Sequence, residues 1–214
     1  MEHYLRKKIN PILVQEKFKK VGLKLFTILD YKRVLEVNYS TAQRSIFRYV
    51  KTEFLVKARK GLYFFKNNPP HEFEIANKIY QPSYISFETA LSFYEIIPET
   101  IYEVISATSR TTRTFNVNDI KYSYKKIKRD CFNGYKSIKI KNATVLIAEP
   151  EKALVDYLYL VVLGKRKLAY ERINLSKIKK TKLLSYAKQF QKVKIEEIIN
   201  NLYAEPKYNQ RIIY

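Results

Sequence analysis

Cysteine occurs once, at Cys131, so no intramolecular disulfide framework can be written and a reduced, cytoplasmic setting is expected. Glycine occurs only four times. There is no Walker loop, no G-x-G-x-x-G and no G-x-S-x-G nucleophile turn. The two histidines, His3 and His71, lie far apart, and with one cysteine no zinc-ligand spacing exists. No apolar run reaches the roughly 18 residues that span a bilayer. The opening MEHYLRKKINPILV lacks the apolar core of a signal peptide. These absences argue against a cofactor enzyme, a metalloprotein and a membrane protein, and no cofactor is expected.

What is abundant is positive charge. The 214 residues carry 41 Lys and Arg against 20 Asp and Glu, a formal net charge of +21, and are 46% hydrophobic. A core can therefore form, and the excess charge attracts polyanions. A/T-rich codons favour Lys, Asn, Ile and Tyr, but codon bias alone would not spare the middle of the chain. Residues 1–66 hold 16 Lys/Arg and 5 Asp/Glu (net +11), residues 67–162 hold 12 and 11 (net +1), and residues 163–214 hold 13 and 4 (net +9).

The seam is Lys66 to Glu74, KNNPPHEFE, whose paired prolines stop both helix and central strand. We read residues 1–66 as one domain, 67–75 as a linker and 76–214 as a second, mixed domain, giving an α+β protein. Before the seam, Ile9, Ile12, Leu13, Phe18 and Val21 recur at helical spacing behind Pro11. A second helix follows a Thr27/Asp30 capping box, with Ile28, Leu29 and Leu35 on its core side. A third opens on a Ser40-x-x-Gln43 box. It has Ala42, Ile46, Tyr49 and Val50 on one face, and Thr41, Arg44, Ser45, Arg48 and Lys51 on the other. Phe54–Val56 and Leu62–Phe65 read as a hairpin around a turn at residues 57–61.

Beyond the seam, Ser86 caps a helix through FETALSFYEII, and strands are expected at Glu103–Thr108, Ile120–Ile127 and Ser137–Ile140. NATVLIA, from Asn142, reads as a buried strand, and Pro150 starts a helix through PEKALVDYLYLVV. Two Lys-rich helices end the chain between Ser176 and Tyr203.

Two helices joined by a short turn and followed by a basic hairpin describe a winged helix-turn-helix that binds double-stranded DNA. Its recognition helix is Ser40–Lys51. Thr41, Gln43 and Arg44 lie toward the base edges, Arg48 and Lys51 toward phosphate, and Lys57, Arg59 and Lys60 at the wing. The bland reading is a solvated charged face. Such faces normally mix signs, and here only Glu53 stands nearby. A different function class, a metal-dependent nuclease with basic binding surfaces at both ends, would need an acid and an acid-x-Lys pair on adjacent strands. Glu151 and Lys152 are adjacent in sequence, so their side chains diverge, and no enzyme is expected. Lys177, Lys179, Lys180, Lys182 and Lys188 form a candidate surface for RNA or a protein partner, or a solvated helix face.

Two further stretches, Tyr84-Ile-Ser-x-Glu88-x-Ala90-Leu91 and Ile147-Ala-x-Pro-Glu151-Lys152-Ala153-Leu154-x-Asp156, together with Lys60-Gly-Leu-Tyr63, resemble the AbiEi family of antitoxins. The resemblance runs over most of the chain from Phe26. The sequence departs from the family where a glycine is common at two places, here Glu95 and Asn118-Asp119. The resemblance implies an N-terminal DNA-binding domain and a C-terminal antitoxin domain. It implies a repressor of its own operon that binds upstream repeats, in a type IV toxin–antitoxin system linked to phage-abortive infection. The functional partner so implied is a nucleotidyltransferase-like toxin that need not be contacted directly.

Overall fold

The structure, a computed structural model, describes residues 10–99, 101–141, 143–168 and 173–204. His3, Ile9 and Asn142 lie outside them. The fold is mixed α and β, with two sheets among the described residues. The chain divides into two compact units, the first running to Ile75 and including Val117–Asp119, the second holding the remainder.

In the first unit, helix α1 (Pro11–Val21) starts where Asn10 accepts the Ile12 N–H at 2.9 Å and Pro11 needs no partner for its missing N–H. It buries Val14 and Phe18, one turn apart. Ile12 and Leu13 are 66% and 58% exposed and Val21 also faces outward, so the expected core face is corrected to the Val14–Phe18 stripe. That stripe meets an aromatic cluster. Phe18 stands 4.3 Å from Phe26 and 5.4 Å from Phe65, centroid to centroid. Phe26 belongs to strand β1 (Leu25–Phe26), a two-residue strand too short for periodicity to reveal.

Helix α2 (Ile28–Leu35) has the expected capping box: Thr27 N–H donates to Asp30 Oδ2 at 2.9 Å, and Asp30 N–H donates to Thr27 Oγ1 at 3.2 Å. Its buried residue is Tyr31, while Leu29 points outward. Glu36 closes α2 in the left-handed conformation, φ 57°. A Cβ is unfavourable there. Glu36→Gly is therefore expected to stabilise the protein by about 0.5–1 kcal/mol, after glycine's own entropy loss, read as a raised urea midpoint.

Helix α3 (Tyr39–Lys51) is capped by Asn38 instead of the Ser40–Gln43 box. Asn38 Oδ1 accepts the Thr41 N–H at 2.8 Å and the Ser40 hydroxyl at 2.9 Å. Asparagine is a strong cap, and with the helix begun earlier, Gln43 falls in its body, free of capping duty. Strands β2 (Leu55–Arg59) and β3 (Leu62–Phe65) form the hairpin. The expected five-residue turn shrinks to Lys60–Gly61, with Gly61 at φ 82°. Lys57–Arg59 continue the strand through a bulge. The sheet order is β1-β3-β2, antiparallel throughout.

Helix α4 (Glu72–Ile79) begins inside the segment read as a linker, where His71 Nδ1 accepts the Phe73 N–H at 3.2 Å. The second unit follows with β4 (Ser83–Ile85), α5 (Phe87–Phe93), β5 (Glu103–Thr108), β6 (Arg113–Val117), β7 (Ile120–Lys126), β8 (Tyr135–Ile140), β9 (Ala143–Ala148), α6 (Pro150–Val162), α7 (Lys180–Gln189) and α8 (Val193–Ala204). Its sheet runs β6-β7-β5-β4-β9-β8. β5 is parallel to β7 and antiparallel to β4, β4 is parallel to β9, and β9 is antiparallel to β8. Helix α6 packs on α5, α7 and α8.

Two expectations change here. β9 alternates, burying Val145 and Ile147 while Thr144 and Leu146 face outward, the pattern of a strand with one face covered and the other open. α5 stops at Phe93 because Glu95 turns to φ 55°. Asn118 and Asp119 are left-handed too, so the departures from the glycine pattern fall at positions whose backbone favours glycine.

Candidate nucleic-acid interface

The side of α3 turned from the core carries Ser40, Gln43, Arg44, Phe47 and Lys51, all exposed. They lie within one arc because three- and four-residue steps return to the same face. Thr41 and Arg48 flank it, half-buried, with Arg48 5.0 Å above the Tyr49 ring. Ser45, expected on this face, is 6% exposed and belongs to the core side. The arc is rotated by roughly 80° from the expected one, at about 100° per residue. The sequence reading missed Phe47, which is 73% exposed. Phe47 sits one turn from both Gln43 and Lys51, a spacing that marks it as outward only once the rotation of the helix is known.

Arg44 Nε donates to the Ser40 carbonyl at 3.2 Å, which steadies the side chain along the helix. β2 packs against α3 and brings the hairpin beside it. Along β2, Lys57 and Arg59 are exposed while Ala58 is buried, and Lys60 is exposed at the turn. Two nearby acids, Glu53 and Asp30, are engaged, and Glu36 is exposed in the turn before α3. Lys66 donates to Glu53 at 2.5 Å and holds its carboxyl below the usual range. Asp30 serves the α2 cap and pairs with Arg33 at 2.8 Å. The face thus presents cations and neutral donors around one aromatic ring.

Among the five C-terminal lysines, some ammonium groups are engaged and others are exposed. Lys177 pairs with Glu95 at 2.5 Å, and Lys182 bridges Glu149 and Glu151 at 2.9 and 3.7 Å. Lys180 lies 5.0 Å over the Tyr203 ring. Lys179 gives its backbone N–H to Glu151 Oε1 at 3.1 Å, and Lys188 is exposed on α7.

Four polar residues of the two motifs in the second unit, Tyr84, Ser86, Lys152 and Asp156, meet inside it. Asp156 Oδ2 accepts from the Tyr84 hydroxyl at 2.9 Å and the Ser86 hydroxyl at 2.8 Å, and its other oxygen pairs with Lys152. Asp156 and Lys152 have no exposed surface. The ammonium of Lys152 also faces the Phe190 ring at 4.8 Å. Burial pushes the Asp156 carboxyl up from its ordinary value, against the pull of Lys152, Ser86 and Tyr84. Ser86 thus spends its hydroxyl on this carboxylate and makes no cap bond to α5. Glu88 pairs with Arg166. Glu149 accepts from the Tyr186 hydroxyl at 2.5 Å. Gly134 makes room for that ring: a Cβ there would lie 2.7 Å from it, at φ 69°. Among the described residues, no three His, Cys, Asp or Glu are grouped to hold a metal ion. Nor is any helix among them long and apolar enough to cross a membrane.

Burial raises the pKa of Tyr84 well above its ordinary value, reinforced by Asp156, raises that of Tyr31, and pushes Tyr94 up to about 12. In the unfolded chain these phenols ionise near pH ~10. The folded pKa is the higher one, so their contribution is complete below about pH 10 and is lost as pH rises above it. Each such tyrosine lowers stability progressively as pH rises through that range. Urea midpoints should fall steeply between about pH 10 and 12, with tyrosinate absorbance appearing together with unfolding.

No family model matches the chain, and no curated protein matches it either.

Proposed function

We propose that the first unit is a winged helix-turn-helix and that the protein is a DNA-binding repressor of its own operon and the antitoxin of a type IV toxin–antitoxin system. The observation that carries the reading is the acid-free outer arc of α3, bearing Gln43, Arg44 and Lys51, beside a hairpin bearing Lys57, Arg59 and Lys60. The element order α1-β1-α2-α3-β2-β3, with β1 closing the sheet on β3, supports the winged topology. In it α3 enters the major groove and the hairpin tip follows the backbone or the minor groove. Arg44 takes guanine O6/N7 and Gln43, free of the cap, takes adenine N6/N7. Ser40, Thr41, Arg48 and Lys51 contact phosphate and fix the register.

The antitoxin part rests on the resemblance of the Tyr84–Leu91 and Ile147–Asp156 stretches. Their polar residues tie β4, α5 and α6 together, a role in holding that unit's shape and not in chemistry. The toxin is nucleotidyltransferase-like, and antagonism requires no direct contact.

A reporter driven by the protein's own upstream region tests the regulatory half. Expression of the protein should silence it, and a Lys57→Ala/Arg59→Ala/Lys60→Ala variant should restore it. Co-expression with the neighbouring toxin gene tests the other half. Growth should return with the wild type, and an unrescued culture would remove the antitoxin reading.

A further inference from the structure

Phe47 leaves nearly three-quarters of its surface in water on a helix that buries a serine, Ser45, two residues earlier. Leaving a phenylalanine exposed forgoes a substantial burial energy. The ring stands at the middle of the outer arc, with Gln43 a turn before it, Lys51 a turn after it and Arg44 three residues back. No acid lies on α3. An apolar protein partner would be poorly matched to a ring fenced by a guanidinium and an ammonium; a polyanion with one apolar feature matches it well. In the major groove of DNA that feature is the C5-methyl group of thymine, which apolar side chains read by contact. RNA lacks it, and the major groove of an RNA duplex is too deep and narrow for a helix.

We propose that Phe47 is a specificity-determining residue that packs on thymine methyl groups of the DNA site, beside the base pairs met by Gln43 and Arg44. The inference rests on the DNA-binding reading and adds to it what the helix reads.

The test is a four-way titration. Wild type and Phe47→Ala are each measured against the protein's upstream duplex and the same duplex with deoxyuridine in place of thymidine, which removes only the methyl groups. Wild type should bind the deoxyuridine duplex about fourfold more weakly per contacted methyl, the equivalent of burying one carbon. Phe47→Ala should lose roughly tenfold or more on the thymidine duplex and be indifferent to the substitution. Its salt dependence should match the wild type's, because it removes no phosphate contact. Unchanged melting of Phe47→Ala, expected for an exposed side chain, separates readout from folding. If both proteins lose equally on deoxyuridine, or neither does while specific binding persists, the methyl contact is wrong and the DNA-binding reading survives. If Phe47→Ala instead converts a dimer to a monomer in sedimentation and leaves DNA affinity unchanged, the ring is covered by a second copy and the proposal falls. If wild type prefers neither upstream duplex over a scrambled one, the DNA-binding reading itself fails.

Discussion

Asp156→Ala is expected to destabilise the second unit by about 3–5 kcal/mol, the cost of leaving one charge of a buried pair uncompensated. Lys152 would then face the Phe190 ring with no carboxylate, and the Tyr84 and Ser86 hydroxyls would lose their acceptor. Against the roughly 5–15 kcal/mol that holds a domain folded, such a loss approaches full unfolding. The mirror variant, Lys152→Met, should be milder. Its Asp156 keeps two hydroxyl donors and, with its pKa already raised by burial, accepts a proton more readily than an exposed carboxylate. The double variant Lys152→Met/Asp156→Leu should recover part of the loss, since no buried charge is left unpaired, while the Tyr84 and Ser86 hydroxyls still lack their acceptor. Urea unfolding of all three decides the matter. A loss below about 1 kcal/mol in Asp156→Ala would mean that Asp156, through Tyr84 and Ser86, does not hold α6 to β4 and the start of α5.

Arg44→Ala should weaken binding to the upstream DNA by about 1–3 kcal/mol, the value of one bidentate base contact. On a scrambled duplex the same variant should bind nearly as well as the wild type, because base contacts carry sequence and phosphate contacts do not. Arg48→Ala or Lys60→Ala should behave oppositely. Each should weaken both duplexes alike and reduce the slope of log affinity against log salt by about 0.9. A pattern in which Arg44→Ala acts only through the salt slope would reassign Arg44 to the backbone.

Local signals were legible where the chemistry is local. The Thr27/Asp30 box, Pro150 at a helix start and the hairpin before Gly61 each depend on residues within a turn of one another. The third helix was legible as a helix but not in its rotation. Counting apolar residues cannot tell that small Ser45 fits inside while Phe47 stays outside. β1 has only two residues and becomes a strand through its partner, β3. Asp156 receives bonds from Tyr84 and Ser86, 72 and 70 residues away, which no spacing rule connects. The carboxylates that engage Lys177 and Lys182, those of Glu95, Glu149 and Glu151, lie on other segments, so spacing among the lysines does not reveal the pairing.

One titration addresses sequence-specific DNA binding through α3 most directly: fluorescence anisotropy of the wild-type protein against its own upstream duplex and a scrambled duplex across several salt concentrations. The expected result is a preference of roughly a thousandfold or more for the upstream duplex that persists as salt weakens both. Equal affinities that fall together with salt would show charge without readout and would contradict it.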